Sequence, residues 1–179
     1  MSKFLWETAT FSFFSNTAIF VSHIRYGLPI FCPVRLDESD PIPGCIDDLK
    51  VVYHDCLRLL SGVSRTDHAS IKEMAQNLEW GSINQLAAQT RLIQAWKSVH
   101  LENNCMKDVL HLRPKGNYNT RLNNVDLLDT GVEDIYGSAG FVNATAKLWN
   151  KAPKSVKEAS SLCVAKREIR KFVEEKIPF

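Results

Sequence analysis

Asp47 and Asp48 close the tetrapeptide Cys45-Ile46-Asp47-Asp48. Adjacent carboxylates of this kind can hold paired Mg²⁺ ions against the phosphates of an incoming nucleotide. That chemistry needs both carboxylates at a hairpin turn, with an aromatic residue ahead of them and a hydrophobic strand leading in. Here Cys45 stands where the aromatic would, no such strand precedes, and apolar residues recur at helical spacing downstream. Two aspartates in the first turn of a helix complement its macrodipole, which accounts for them without a metal. No catalytic carboxylate pair is expected, because a motif outside its structural context is usually accidental.

Other chemistry is thinner. His54, Cys56 and His68 offer zinc donor types without a Cys-x₂-Cys or His-x₃-His pair, and one helix could not aim His54 and Cys56 at a single ion. No Gly-x-Ser-x-Gly elbow is present and the glycines are scattered, so neither a nucleophile nor a phosphate-cradling loop is expected. Cys32, Cys45, Cys56, Cys105 and Cys163 are odd in number and widely spaced, which points to reduced thiols rather than a disulfide framework. Asn143-Ala144-Thr145 matches a glycosylation sequon inside an expected helix and is set aside. The expectation is no cofactor, no metal and no catalytic residue.

The C-terminal basic cluster is the clearest ligand signal. From residue 147 onward, Lys147, Lys151, Lys154, Lys157, Lys166, Arg167, Arg170, Lys171 and Lys176 face only four glutamates, a local net charge of +5. Cations along a helix can neutralise phosphates without reading base sequence. The plainer alternative is a solvated helix face. The candidate nucleic-acid contacts are Arg167, Arg170 and Lys171 on the last helix, with Lys147, Lys151 and Lys154 before it.

Helices must position these groups. Phe14, Ala18, Val21 and Ile24 give one over about 11–26, with Gly27 as its cap. Ile46, Leu49, Val52, Tyr53, Cys56, Leu57, Leu59 and Leu60 form one side of a second helix, ended by Gly62. Ser70-x-x-Glu73 and Ser82-x-x-Gln85 are capping boxes, the latter opening a helix to about His100 anchored by Leu86, Ile93 and Trp96. Residues 102–137 have no helical period, are rich in asparagine, and could hold a short strand near 121–128. Helices over about 138–150 and 160–177 follow, the last with Leu162, Ala165, Ile169, Phe172 and Val173 inward. Arg167, Arg170 and Lys171 flank one side of that stripe, Glu168 and Glu175 the other. The fold class read from this pattern is mainly α. It is a bundle of about five to six helices with a long irregular central connection, dividing as 1–101, 102–137 and 138–179.

The chain has 179 residues, 45% hydrophobic and 23% charged, with a net charge of +2. That composition excludes collagen-like and disordered classes, and no apolar run approaches the roughly 18 residues of a membrane helix. An intracellular location, cytoplasmic or nuclear, is expected, with no membrane partner.

Four blocks in order resemble the region after the palm of non-LTR (LINE-like, jockey-type) retrotransposon reverse transcriptases. Ser22-His23-Ile24-Arg25-Tyr26-Gly27-Leu28-Pro29 is similar to that family's Ser-His-x-x-Tyr-Gly thumb segment. Leu57-Arg58 with Ser61-Gly62 resembles its Ala-Leu-Arg-x-x-x-Gly helix, with Cys56 in place of the alanine. Glu79-Trp80 through Trp96 resembles the helix that follows, and Leu148-Trp149-Asn150-x-x-Pro153 its C-terminal block. The resemblance implies a thumb-like region at 1–101 and a C-terminal helical extension at 138–179. It implies no palm active site, hence a catalytically inactive fragment of an RNA-directed DNA polymerase that binds the duplex backbone weakly. The alternative is a helical protein–protein interaction module, whose contacts would come from Phe4, Leu5, Trp6 and Phe11 to Phe14.

Overall fold

The computed structural model describes residues 22, 26–28, 32, 34, 45–102, 104–112, 126–129 and 140–179. The architecture is mainly helical, as the periodicity predicts. The long described helices are α1 (Cys45–Ser61), α3 (Ile83–His100), α4 (Phe141–Lys151) and α6 (Leu162–Lys176). Two short ones, α2 (Ile71–Asn77) and α5 (Lys154–Lys157), lie between them. Most of the expected first helix lies outside the described residues. Gly27 and Leu28 are themselves helical, so the turn runs past the expected glycine cap, and Leu28 is buried beyond it.

Local signals set most helix ends. Ser82 and Gln85 form a complete reciprocal box: Gln85 N donates to Ser82 Oγ at 3.1 Å, and Ser82 N donates to Gln85 Oε1 at 3.0 Å. Ser70 and Ser161 cap α2 and α6 through their hydroxyls. Gly62 takes the left-handed φ of +67° just beyond α1, a conformation glycine adopts without a Cβ penalty.

α3 is the axis of the molecule. Its first half joins α1, α2, Leu28 and Cys32 in one apolar cluster. Its second half joins α4, α5, α6, Leu110 and Leu127 in another, with Val34 touching both. α6 runs antiparallel to α3, because Gln85 Nε2 donates to Ile177 O at 3.1 Å, tying the start of one helix to the end of the other. α4 runs in the same direction as α3. The Arg91 guanidinium lies 5.7 Å from the centroid of the Phe141 ring at the start of α4. At the other end, His100 Nε2 meets the carbonyl oxygen of Lys157, the last residue of α5, which follows α4, at 2.8 Å. Parallel neighbours need a long return, and residues 101–140 supply it. Within that return the described residues include a 3₁₀ turn at Cys105–Asp108 and a single antiparallel bridge between Leu112 and Leu127.

α1 departs from its expected face. Tyr53 and Leu57 are buried, but Val52 is 51% and Leu59 80% exposed. Among the described residues, α1 meets the core through a narrow stripe of Leu49, Tyr53 and Leu57, spaced one turn apart. Cys56 is half-buried rather than in the core. Among the described residues, no helix is long and apolar enough to cross a membrane.

Candidate nucleic-acid interface

α6 owes its orientation to one stripe. Ala165, Ile169, Val173 and, just past its end, Ile177 recur every four residues and are buried against α3, the pattern of a helix lying along another. Lys166, Arg167, Arg170 and Lys171 are thereby turned to solvent. On the preceding helices, Lys151 and Lys154 are exposed and Lys147 is half-buried. All six cations singled out from the sequence thus reach water, though Lys147 only in part.

They are not equivalent. Arg167 Nε and Lys171 Nζ both contact the same oxygen, Glu168 Oε1, at 3.3 and 3.2 Å. Lys171, by its hydrogen bond, and Arg167 together hold the Glu168 carboxyl below the usual carboxylate range. Glu168 therefore does not stand apart on an opposing flank; it sits between two of the cations. Arg170 and Lys166, four residues apart on the other flank, make no ion pair among the described residues, and the same holds for Lys147, Lys151 and Lys154. Lys166 belongs with the candidates, although it was not singled out among them. Its position four residues before Arg170, outside the apolar stripe, was the available signal.

Lys157, counted in the basic tract, is not a surface charge. Its side chain is 3% exposed, and Nζ donates to Asp126 Oδ1 at 2.9 Å and to Asn150 O at 3.0 Å. Next to it, Asn150 imitates a neighbouring β-strand. Its Oδ1 accepts from Leu127 N at 2.9 Å and its Nδ2 donates to Leu127 O at 3.0 Å. The Leu148-Trp149-Asn150-x-x-Pro153 block therefore has a structural duty. Leu148 and Trp149 are fully buried, Asn150 clamps the central connection, and Pro153 precedes the first residue of α5.

The other chemical candidates fall in ordinary settings. Asp47 and Asp48 occupy the first turn of α1, where Asp47 pairs with Lys50 Nζ at 3.3 Å. Cys56, Cys105 and Cys163 carry free thiols, and burial, ahead of the nearby Asp55 charge, pushes the Cys56 thiol pKa up. Among the described residues, no group of three or more His, Cys, Asp or Glu side chains could hold a metal. Asn143 of the sequon is buried on α4.

One group that periodicity did not flag is Arg91, which is fully buried. Its Nη2 donates to Cys32 O at 2.9 Å, while Nε and Nη1 have no hydrogen-bond partner among the described residues. An arginine at an inward helical position gives no sequence signal that distinguishes it from a surface one.

No protein-family model, curated protein or solved structure matches this chain. The functional reading therefore rests on its own residues.

Proposed function

We propose that this chain is a non-catalytic helical module that holds the phosphate backbone of an RNA or DNA duplex without reading its sequence. In this reading it corresponds to the thumb and post-thumb region of a non-LTR retrotransposon reverse transcriptase. The observation that carries it is the division of α6 into a buried apolar stripe and a solvent-facing row of cations. Such a row can meet phosphates without unfolding anything. Lys151 and Lys154 extend the cationic character to α4 and α5.

Duplex binding is expected to be weak and salt-sensitive. Three phosphate contacts give a slope of about −3 in log affinity against log salt, which is roughly a 40- to 60-fold loss between 50 and 200 mM. Replacing Lys151, Lys154 and Arg170 together with alanine should flatten that slope and weaken all sequences alike. Helix content should not change, since all three side chains are exposed. Equal binding by wild type and triple variant, measured by fluorescence anisotropy, would reduce these cations to a solvated face.

No primer extension is expected with Mg²⁺ or Mn²⁺. Polymerase chemistry requires carboxylates converging on two metals, and Asp47 and Asp48 lie in the first turn of a helix beside Lys50. Extension by the purified chain that disappears on changing Asp47 and Asp48 to alanine would overturn this reading.

A second reading, a protein–protein module, is favoured by one observation. Val51, Val52 and Leu59 of α1 are more than half exposed, and exposed apolar residues gathered on one element can mark a contact site. The aromatic N-terminal residues Phe4, Leu5, Trp6 and Phe11 to Phe14 lie outside the described residues.

A further inference from the structure

We infer that Glu168 is a built-in competitor of the phosphate backbone, withholding Arg167 and Lys171 so that Lys166 and Arg170 make the first contacts. This rests on the backbone-binding reading above and divides the basic row into two functional classes.

The geometry supplies the division. A single carboxylate oxygen, Glu168 Oε1, receives both Arg167 Nε at 3.3 Å and Lys171 Nζ at 3.2 Å. The two cations are each 67% exposed, whereas the Glu168 side chain is only 20% exposed. The carboxylate is thus covered by the two cations and held on the helix surface, while their charges are partly cancelled before any ligand arrives. Lys166 and Arg170, one turn apart, make no such pair among the described residues and present undiminished charge.

Exposed ion pairs with contacts of this length are weak and easily exchanged. A phosphate group carries formal charge and several acceptor oxygens, so it can take over both donors, but it must first displace the carboxylate. The consequence is graded binding: an initial contact through Lys166 and Arg170, then recruitment of Arg167 and Lys171 against the resistance of Glu168. The opposite arrangement, in which Glu168 orients Arg167 for phosphate, predicts the opposite sign for its removal.

The test is binding of a 20-base-pair random-sequence DNA duplex across 50–200 mM NaCl, by wild type and by Glu168→Gln, with helix content checked by circular dichroism. Releasing two weak pairs should tighten binding by about 3- to 10-fold and steepen the salt slope by up to about 1.8, that is, two contacts at 0.9 each. The gain should vanish when Glu168→Gln is combined with Arg167→Ala and Lys171→Ala. It should also exceed that of Glu174→Gln, which adds the same net charge without releasing these two cations. If wild type binds and Glu168→Gln binds equally or more weakly, the competitor role is overturned while the backbone-binding reading stands. A matching gain from Glu174→Gln would overturn it as well, leaving net charge as the whole effect. If neither wild type nor Glu168→Gln binds duplex at 50 mM salt, the backbone-binding reading fails and takes this inference with it.

Discussion

Lys157→Met is expected to destabilise the protein by about 3–5 kcal/mol, the usual result of removing one partner from a buried ion pair. The methionine fills most of the space that the lysine stem occupies, so packing changes little. What is lost is the ammonium group between Asp126 Oδ1 and Asn150 O, at 2.9 and 3.0 Å. The Asp126 side chain is only 12% exposed, so its carboxylate would be left largely out of water with no other ion-pair partner among the described residues. The damage should centre on the clamp, because Asn150 holds the backbone of Leu127 beside it. Chemical denaturation checks this as a fall in midpoint at unchanged m-value. The pair variant Lys157→Met with Asp126→Leu should recover most of the loss, since replacing both charges by apolar groups is often neutral. A loss below about 1 kcal/mol for Lys157→Met would mean that the pair behaves as a solvent-screened surface bridge.

The same exchange at Arg91 should have the opposite sign. Arg91→Met is expected to stabilise the protein by about 1–3 kcal/mol, within the range seen when buried ionic groups give way to apolar ones. Arg91 has no carboxylate partner among the ion pairs of the described residues. Among the described residues two of its nitrogens, Nε and Nη1, have no hydrogen-bond partner, and its contacts there are one neutral hydrogen bond to Cys32 O and the approach to the Phe141 ring. Burial, partly opposed by Cys32, pulls its pKa down to about 10, well below the usual arginine range. That difference corresponds to about 3 kcal/mol disfavouring the charged form in the folded state. With the folded pKa below the unfolded one, the penalty lifts as pH rises through the folded value and is gone only above the unfolded one. At neutral pH Arg91 is charged in both states, so the whole penalty is present. The substitution removes the penalty and gives up one hydrogen bond of about 1 kcal/mol. A marked loss of stability on Arg91→Met would show that its bond to Cys32 O and its contact with Phe141 outweigh the desolvation.

Arg91 and Lys157 show why charge counted along a chain misleads. Lys157 counts as one cation of the basic tract and Arg91 carries no signal of its own, yet both lie inside. Lys157 subtracts one positive charge from the C-terminal surface, and Glu168 restrains two more. The cations of the tract with no ion pair among the described residues are Lys147, Lys151, Lys154, Lys166 and Arg170. Spacing on α6 was enough to show which residues point outward, because a helix converts sequence position into angle directly. Spacing could not show that Arg167 and Lys171 would close on the same carboxylate oxygen, because that depends on rotamers of long, exposed side chains.

The sequence by itself determined the local structure. Ser82 with Gln85, Ser70, Ser161 and Gly62 set helix ends through bonds and dihedrals spanning a few residues, and the Ala165–Ile169–Val173 period determined which side of α6 is buried. Each of these depends only on near neighbours, so each is legible in one dimension. The tertiary structure alone decided that α4 runs parallel to α3 and α6 antiparallel to it. It also decided that α1 buries Tyr53 and Leu57 while leaving Leu59 in water. The pairing of Asn150 with Leu127 and of Lys157 with Asp126, across 23 and 31 residues, belongs to the same class. These outcomes depend on which surfaces meet after the chain has closed its long connection. No local period records that choice, because the energy that selects it is the burial of apolar area and buried charge between segments distant in sequence.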